Sequence, residues 1–256
     1  MKLAILRDGK EIMKAENEKE AYLVFREEFI PGDAILFSAD PGFYTLQLDH
    51  VLGRSTLYKG EGDYVLSIPF GKKHDCYQEH AFRGDKIMLW ARKAYEWEIG
   101  YRNLSLNPYD AHENASLFPH SRANIETRGE SVFASRNAFD GILASDDHGR
   151  WPWASWGINR DPNAELYLDF GRPVTIDRLV FYTRADFPHD AWWTEAEIAY
   201  SDGTSGKYAL GKVDGPQERI ISERTITSLT LRNLIKADDP SPFPALIQLE
   251  VYGRES

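Results

Sequence analysis

The chain has 256 residues, about the length of two average domains, and its 42% hydrophobic and 27% charged residues exclude a disordered, collagenous or coiled-coil protein. No apolar stretch approaches the roughly 18 residues that a membrane helix needs, so no span is expected. Asp and Glu number 40 against 30 Lys and Arg, a net charge of -10; such a surface repels a phosphate backbone unless a basic stripe overrides it, and without one nucleic acid is not an expected partner.

The first ten residues, MKLAILRDGK, place Arg7 and Asp8 where a secretion signal needs its apolar core. The expectation is a cytoplasmic protein, or an extracellular one if an export signal has been removed. Asn17 and Glu20 are spaced as a capping box ahead of Ala21, Val24 and Phe25, which predicts a helix of about three turns before Pro31-Gly32, although AYLVF also suits a strand. Short apolar runs follow at 34–37, 64–70 and 86–94, and in YTLQLD the residues Tyr44, Leu46 and Leu48 alternate with polar ones. PGD, DPGF, GEGD and FRGD separate these runs as turn signals. Residues 1–110 therefore read as a β-sandwich domain without a recognisable functional motif. Cys76 is the only cysteine, which excludes an intrachain disulfide and reads as a small buried thiol.

From Asn107 to Glu130 the periodicity dissolves into a segment rich in Asn, Pro and Ser, read as a connection packed against both halves through Leu117 and Phe118. His112 and His120 fall within it as linker residues. After it the period of two returns: Leu166, Leu168 and Phe170 alternate with Glu165, Tyr167 and Asp169, and a Ser-Asp-Gly turn divides a hairpin at 195–210. No long amphipathic helix interrupts this half, so residues 120–256 form a second sandwich, and the fold class is all-β with two β-sandwich (jelly-roll) domains.

Several of these segments carry a resemblance. NAFDG at 137–141, Arg150-Trp151, ELYLDFGRPVTIDRLVFYTR and the closing ALIQLEVYG resemble, in order and spacing, the discoidin or coagulation-factor C-type (F5/8 type C) family, and within it the galactose-binding-like carbohydrate-binding modules. The resemblance spans roughly Ser131 to Gly253. It implies an eight-stranded jelly roll that binds ligands in loops at one end, with Trp151 packed in the core. It also implies a structural Ca²⁺ held by Asp140 and a last-strand acid. That last position is Gln248 here, an oxygen donor that brings no charge and weakens the site. The family's Trp before the strand-end Asp is Glu165, and the loop HGRWPWASWGINRDPN carries Trp151, Trp153 and Trp156 instead.

Sugar recognition needs an aromatic face for the C–H side of a pyranose and planar polar partners for its hydroxyls. Two segments offer both. DDHGRWPWASW supplies His148, Arg150 and Trp153; RADFPHDAWW supplies Arg184, Asp186, His189, Asp190, Trp192 and Trp193. In an extended segment Trp192 and Trp193 face opposite ways, so one of them is free to serve as a platform. Arg184 with Asp186 or Asp190 reads equally as an internal ion pair. The expected function is non-catalytic carbohydrate binding through these loops. The alternatives are a protein-interaction module with a protein partner on the same fold, and a carbohydrate-active enzyme that uses two of Asp146, Asp147, Asp186 and Asp190 as its carboxylates. No nucleophile elbow, phosphate-cradling loop or HExxH motif favours the enzyme.

Overall fold

Strands dominate the computed structural model, which describes residues 1–114, 116–185 and 187–256. The first half runs through β1 (Lys2–Arg7), β2 (Lys10–Glu16), β3 (Glu20–Phe25), β4 (Asp33–Ser38), β5 (Gly42–Gln47), β6 (Ser55–Lys59), β7 (Tyr64–Ser67) and β8 (Ile87–Lys93). With the short β9 (Arg102–Asn103), β10 (Leu117–Phe118) and β11 (His120–Ala123) of the connection, these build two sheets and reach a third. One sheet is ordered β2-β1-β4-β7 and the other β10-β6-β5-β8-β3. Leu3, Ile5, Ile35, Phe37 and Leu66 from the first face Leu23, Phe25, Tyr44, Leu46, Leu57 and Leu89 from the second across one apolar core. Two sheets packed on one core in this way form a sandwich.

The helix expected after Asn17 is a strand. Ala21, Leu23 and Phe25 point into the core while Glu20 and Tyr22 face out, a period of two that a helix would scramble. The Asn17 side chain does accept the backbone N–H groups of Lys19 and Glu20, at 2.9 and 3.2 Å, but it caps a turn that leads into β3.

The connection holds more structure than its composition suggested. β9 pairs with the last strand of the chain, β10 with β6, and β11 with the long strand of the second half, so the segment shuttles between the two halves. Leu117 is buried in the first core and Leu104 in the second. Between them Asp110 gathers a buried polar knot: it accepts from His120 Nδ1 at 2.8 Å, from Ser121 N at 2.8 Å and Oγ at 2.7 Å, and from Asn114 Nδ2 at 2.9 Å. His120 is thus a structural anchor, and His112 lies bonded to Glu126 at 2.8 Å. Burial without these partners would cost each polar group its hydration, so the knot fixes the path of the chain here.

The second half comprises β12 (Trp156–Gly157), β13 (Leu166–Thr183), β14 (Trp193–Tyr200), β15 (Ser205–Ala209), β16 (Gln217–Lys236) and β17 (Ala245–Glu255), ordered β12-β17-β13-β16-β14-β15, with β11 on β13 and β9 on β17. β13 and β16 are long enough to serve both layers. Their pairing shifts register between Asp169 and Val174 and again between Ile176 and Arg178, and such irregularities let a strand bend. Gly171 sits at the first of these corners with φ +67, and a Cβ there would collide with the Phe118 ring. The bent sheet encloses Trp156, Leu166, Leu168, Phe170, Phe181, Trp193, Leu231 and Leu249 in a core of its own.

Candidate functional site

Five loop segments meet at the end of this second sandwich where β13 finishes and β17 begins. They contribute Thr127, Arg128 and Phe133; His148; Gly157, Ile158, Asn159 and Arg160; Arg184 and His189; and Phe243 to Ala245, around a pocket of about 180 Å³. Arg184, buried, holds two of the segments together: its Nε donates to the His189 carbonyl at 3.3 Å and its Nη2 to the Phe243 carbonyl, while its backbone N–H reaches Ala245 O at 3.1 Å. The His148 and His189 rings stand 4.4 Å apart, and His189 lies 6.5 Å from Phe243.

The backbone of this site is unusual. Arg128, Asn159 and Arg160 all line the pocket with positive φ, at 55, 50 and 61°. Left-handed geometry costs a non-glycine residue about 1–3 kcal/mol and survives only where surrounding contacts impose it. Here Asn159 N–H donates to Thr127 Oγ1 at 2.9 Å, which ties two of the strained segments to each other. Gly157 lies at the base of the pocket, where a Cβ would meet that hydroxyl and the Phe133 ring.

Three of the residues expected from sequence come together in this pocket: His148, Arg184 and His189. Arg150 lines the adjoining groove, which shares Arg128, Phe133 and His148, and its Nε reaches 3.4 Å from Asp75 of the first half. Trp153 is tied to Asp146 through its indole N–H at 2.8 Å. Asp190 points elsewhere, paired with Lys212 at 2.8 Å, and this hydrogen bond holds its carboxyl below the ordinary carboxylate range. Trp192 is half-buried with the same Lys212 ammonium 5.3 Å from its ring. Asp186 lies outside the described residues.

Two tryptophans take places different from those expected. Trp193 is 1% exposed and belongs to the core, so of the adjacent pair only Trp192 reaches the surface. Trp151, expected inside, is 36% exposed; the buried ring of that loop is Trp156, whose indole N–H donates to Ile125 O at 3.0 Å. The aromatic walls of the pocket are accordingly Phe133 and Phe243. Sequence reasoning passed over both, along with Arg128 and Arg160; Phe133 and Phe243 sit in segments with no tryptophan cluster, and Arg160 lies at the far end of the Trp-rich loop.

Asp140 and Gln248 are close, as the resemblance implies, but their oxygens are already engaged. Asp140 Oδ1 accepts the Ile142 N–H at 2.9 Å, and Gln248 Oε1 accepts the Gly141 N–H at 3.3 Å. The Arg136 guanidinium lies 3.8 Å from Asp140 Oδ2. Calcium takes six to eight oxygen ligands and favours several carboxylates. Among the described residues no group of three or more His, Cys, Asp or Glu side chains is placed to hold a metal. Burial pushes the Asp140 carboxyl up to about 6, against the opposing pull of Arg136. Cys76 is buried beside the same guanidinium, and burial raises its thiol as well.

No protein-family model matches the chain, and no curated protein matches it. Among solved structures, the chain is similar to chitosan-binding module 1 of a chitosanase/glucanase from Paenibacillus sp. IK-5, with 20% identity, 59% of this chain and 99% of that chain covered, and a TM-score of 0.42. A fucose-binding module from Streptococcus pneumoniae aligns at 14% identity over 60% of this chain and 99% of its own, TM-score 0.44. The family 32 carbohydrate-binding module of Clostridium perfringens NanJ, solved with galactose, aligns at 14% identity over 52% and 91%, TM-score 0.39.

Proposed function

We propose that the second sandwich binds a carbohydrate in the loop pocket without transforming it. The observation that carries this reading is the meeting of His148 and His189 over a concavity walled by Phe133 and Phe243. Imidazole nitrogens and the Asn159 amide supply directional partners for hydroxyls, and the phenyl faces supply a surface for C–H groups. The strained, cross-tied backbone gives the rigidity that lets small polar contacts add up to affinity.

A glycan array followed by calorimetry tests the proposal. The expected result is saturable binding that Phe243→Ala weakens about tenfold or more while the melting temperature moves by no more than about 2 °C, with no new reducing ends released from an oligosaccharide panel. An array without hits, or turnover of an oligosaccharide, would refute it.

Phe187, 86% exposed beside this rim, favours a second reading in which the same end of the sandwich docks a protein. A protein partner captured in the absence of any glycan hit, and lost with Phe187→Ser, would select it.

A further inference from the structure

The chain as a whole is strongly acidic, yet this pocket is lined by Arg128, Arg160 and Arg184 together with two histidines, and by no carboxylate among the described residues. The three arginines are not equivalent. Arg184 is buried and holds backbone carbonyls, and Arg128 is engaged by both oxygens of Glu130, at 2.7 and 2.8 Å. Arg160 is exposed and has no hydrogen-bond or ion-pair partner among the described residues. Its guanidinium rests 4.3 Å from the centroid of the Phe243 ring at the pocket wall.

An unengaged surface arginine ordinarily samples many rotamers, and binding through it costs that freedom. Stacking on Phe243 removes part of the cost in advance, and the left-handed backbone at Arg160 aims the residue from a fixed point. A neutral hydroxyl takes a single hydrogen bond from such a group. A carboxylate gains a planar, charge-assisted pair of hydrogen bonds, roughly twice as strong as neutral ones.

We infer that the pocket selects a carboxylated sugar, a hexuronate residue of an acidic glycan, with Arg160 as the group that pairs with its carboxylate. This rests on the carbohydrate-binding reading above and names the ligand class for that same pocket.

The test is calorimetric titration of the full chain with matched methyl glycosides, hexose against hexuronate, in the gluco, galacto and manno configurations, together with galactose 6-sulfate. The wild type is expected to bind at least one hexuronate about tenfold more tightly than its neutral partner at low salt, with the difference shrinking as salt is raised. Arg160→Gln is expected to bring the two to near parity by weakening the hexuronate, while leaving the melting temperature unchanged. Equal affinity for both members of every pair in the wild type would overturn the inference and leave the carbohydrate reading standing. A preference that survives Arg160→Gln would overturn the role of Arg160, and a preference for the sulfate ester over every uronate would overturn the carboxylate. Binding of none of these sugars, in parallel with an array without hits, would overturn both.

Discussion

The Arg136 guanidinium stands 3.8 Å from the Asp140 carboxylate at the base of the loops, in the place where a structural cation was expected. It also donates to the carbonyls of Asp110 and Pro108, each at 2.8 Å, and packs 4.6 Å from the Tyr77 ring centroid. An internal cation thus braces residues from both halves. Thermal unfolding is expected to be unchanged by millimolar calcium or by a chelator. Removing the guanidinium with Arg136→Met strands buried acceptors and is expected to cost about 3–5 kcal/mol, read by urea denaturation. A rise in melting temperature with calcium would contradict this account of the brace.

Trp193→Ala is expected to destabilise the fold by about 3–5 kcal/mol, because it empties a fully enclosed volume in the second core. Trp192→Ala removes a half-buried ring in contact with the Lys212 ammonium, and is expected to cost about 1 kcal/mol or less. Denaturation of the two variants side by side separates these neighbours; equal losses would show that the alternation at the start of β14 is misplaced.

Two carboxyls give opposite pH signatures. The Asp140 carboxyl is raised from its ordinary 3.8 to about 6 by burial, so its contribution to stability is fully present below about pH 4 and is lost as pH rises through about 6. Hydrogen bonds from Asn233 and Arg232 lower Glu197 from 4.5 to about 2, so its contribution is present above about pH 4.5 and disappears as pH falls toward 2. Urea midpoints measured across this range are expected to lose the fall between pH 4 and 6 in Asp140→Asn, and the acid loss below pH 4.5 in Glu197→Gln. Unchanged slopes in either variant would contradict the corresponding assignment.

Asp190→Asn is expected to leave glycan affinity within about twofold of wild type, since that carboxylate is spent on Lys212 and does not line the pocket. The same titration used for Phe243→Ala measures it.

The all-β architecture was legible in part from a period of two: Leu166, Leu168 and Phe170 are buried as their spacing demands, whereas β1 and β4 bury Leu3 to Ile5 and Ala34 to Phe37 as continuous apolar runs. Strand β3 was ambiguous because Asn17 and Glu20 carry a helix-start signal that in fact serves a turn, and local hydrogen bonding cannot reveal the sheet partner that decides between the two. At the pocket, His148, Arg184 and His189 were legible from clusters of polar and aromatic residues in loops. Arg160 and Phe243 were not, because their pairing joins segments far apart in the chain and depends on a backbone turn with φ of 61°. The tryptophans misled for a related reason. Which ring of a loop turns inward is fixed by the strand it joins, and Trp156 on β12, paired with Leu246 of β17, is the buried one.

The most direct test is a sugar titration of the intact protein followed through the imidazole resonances of its seven histidines. The account predicts that a bound glycan shifts the signals of His148 and His189 together and saturably, while those of His112 and His120, bonded to Glu126 and Asp110, stay in place. Binding that moves other histidines and leaves this pair untouched would put the ligand elsewhere and contradict it.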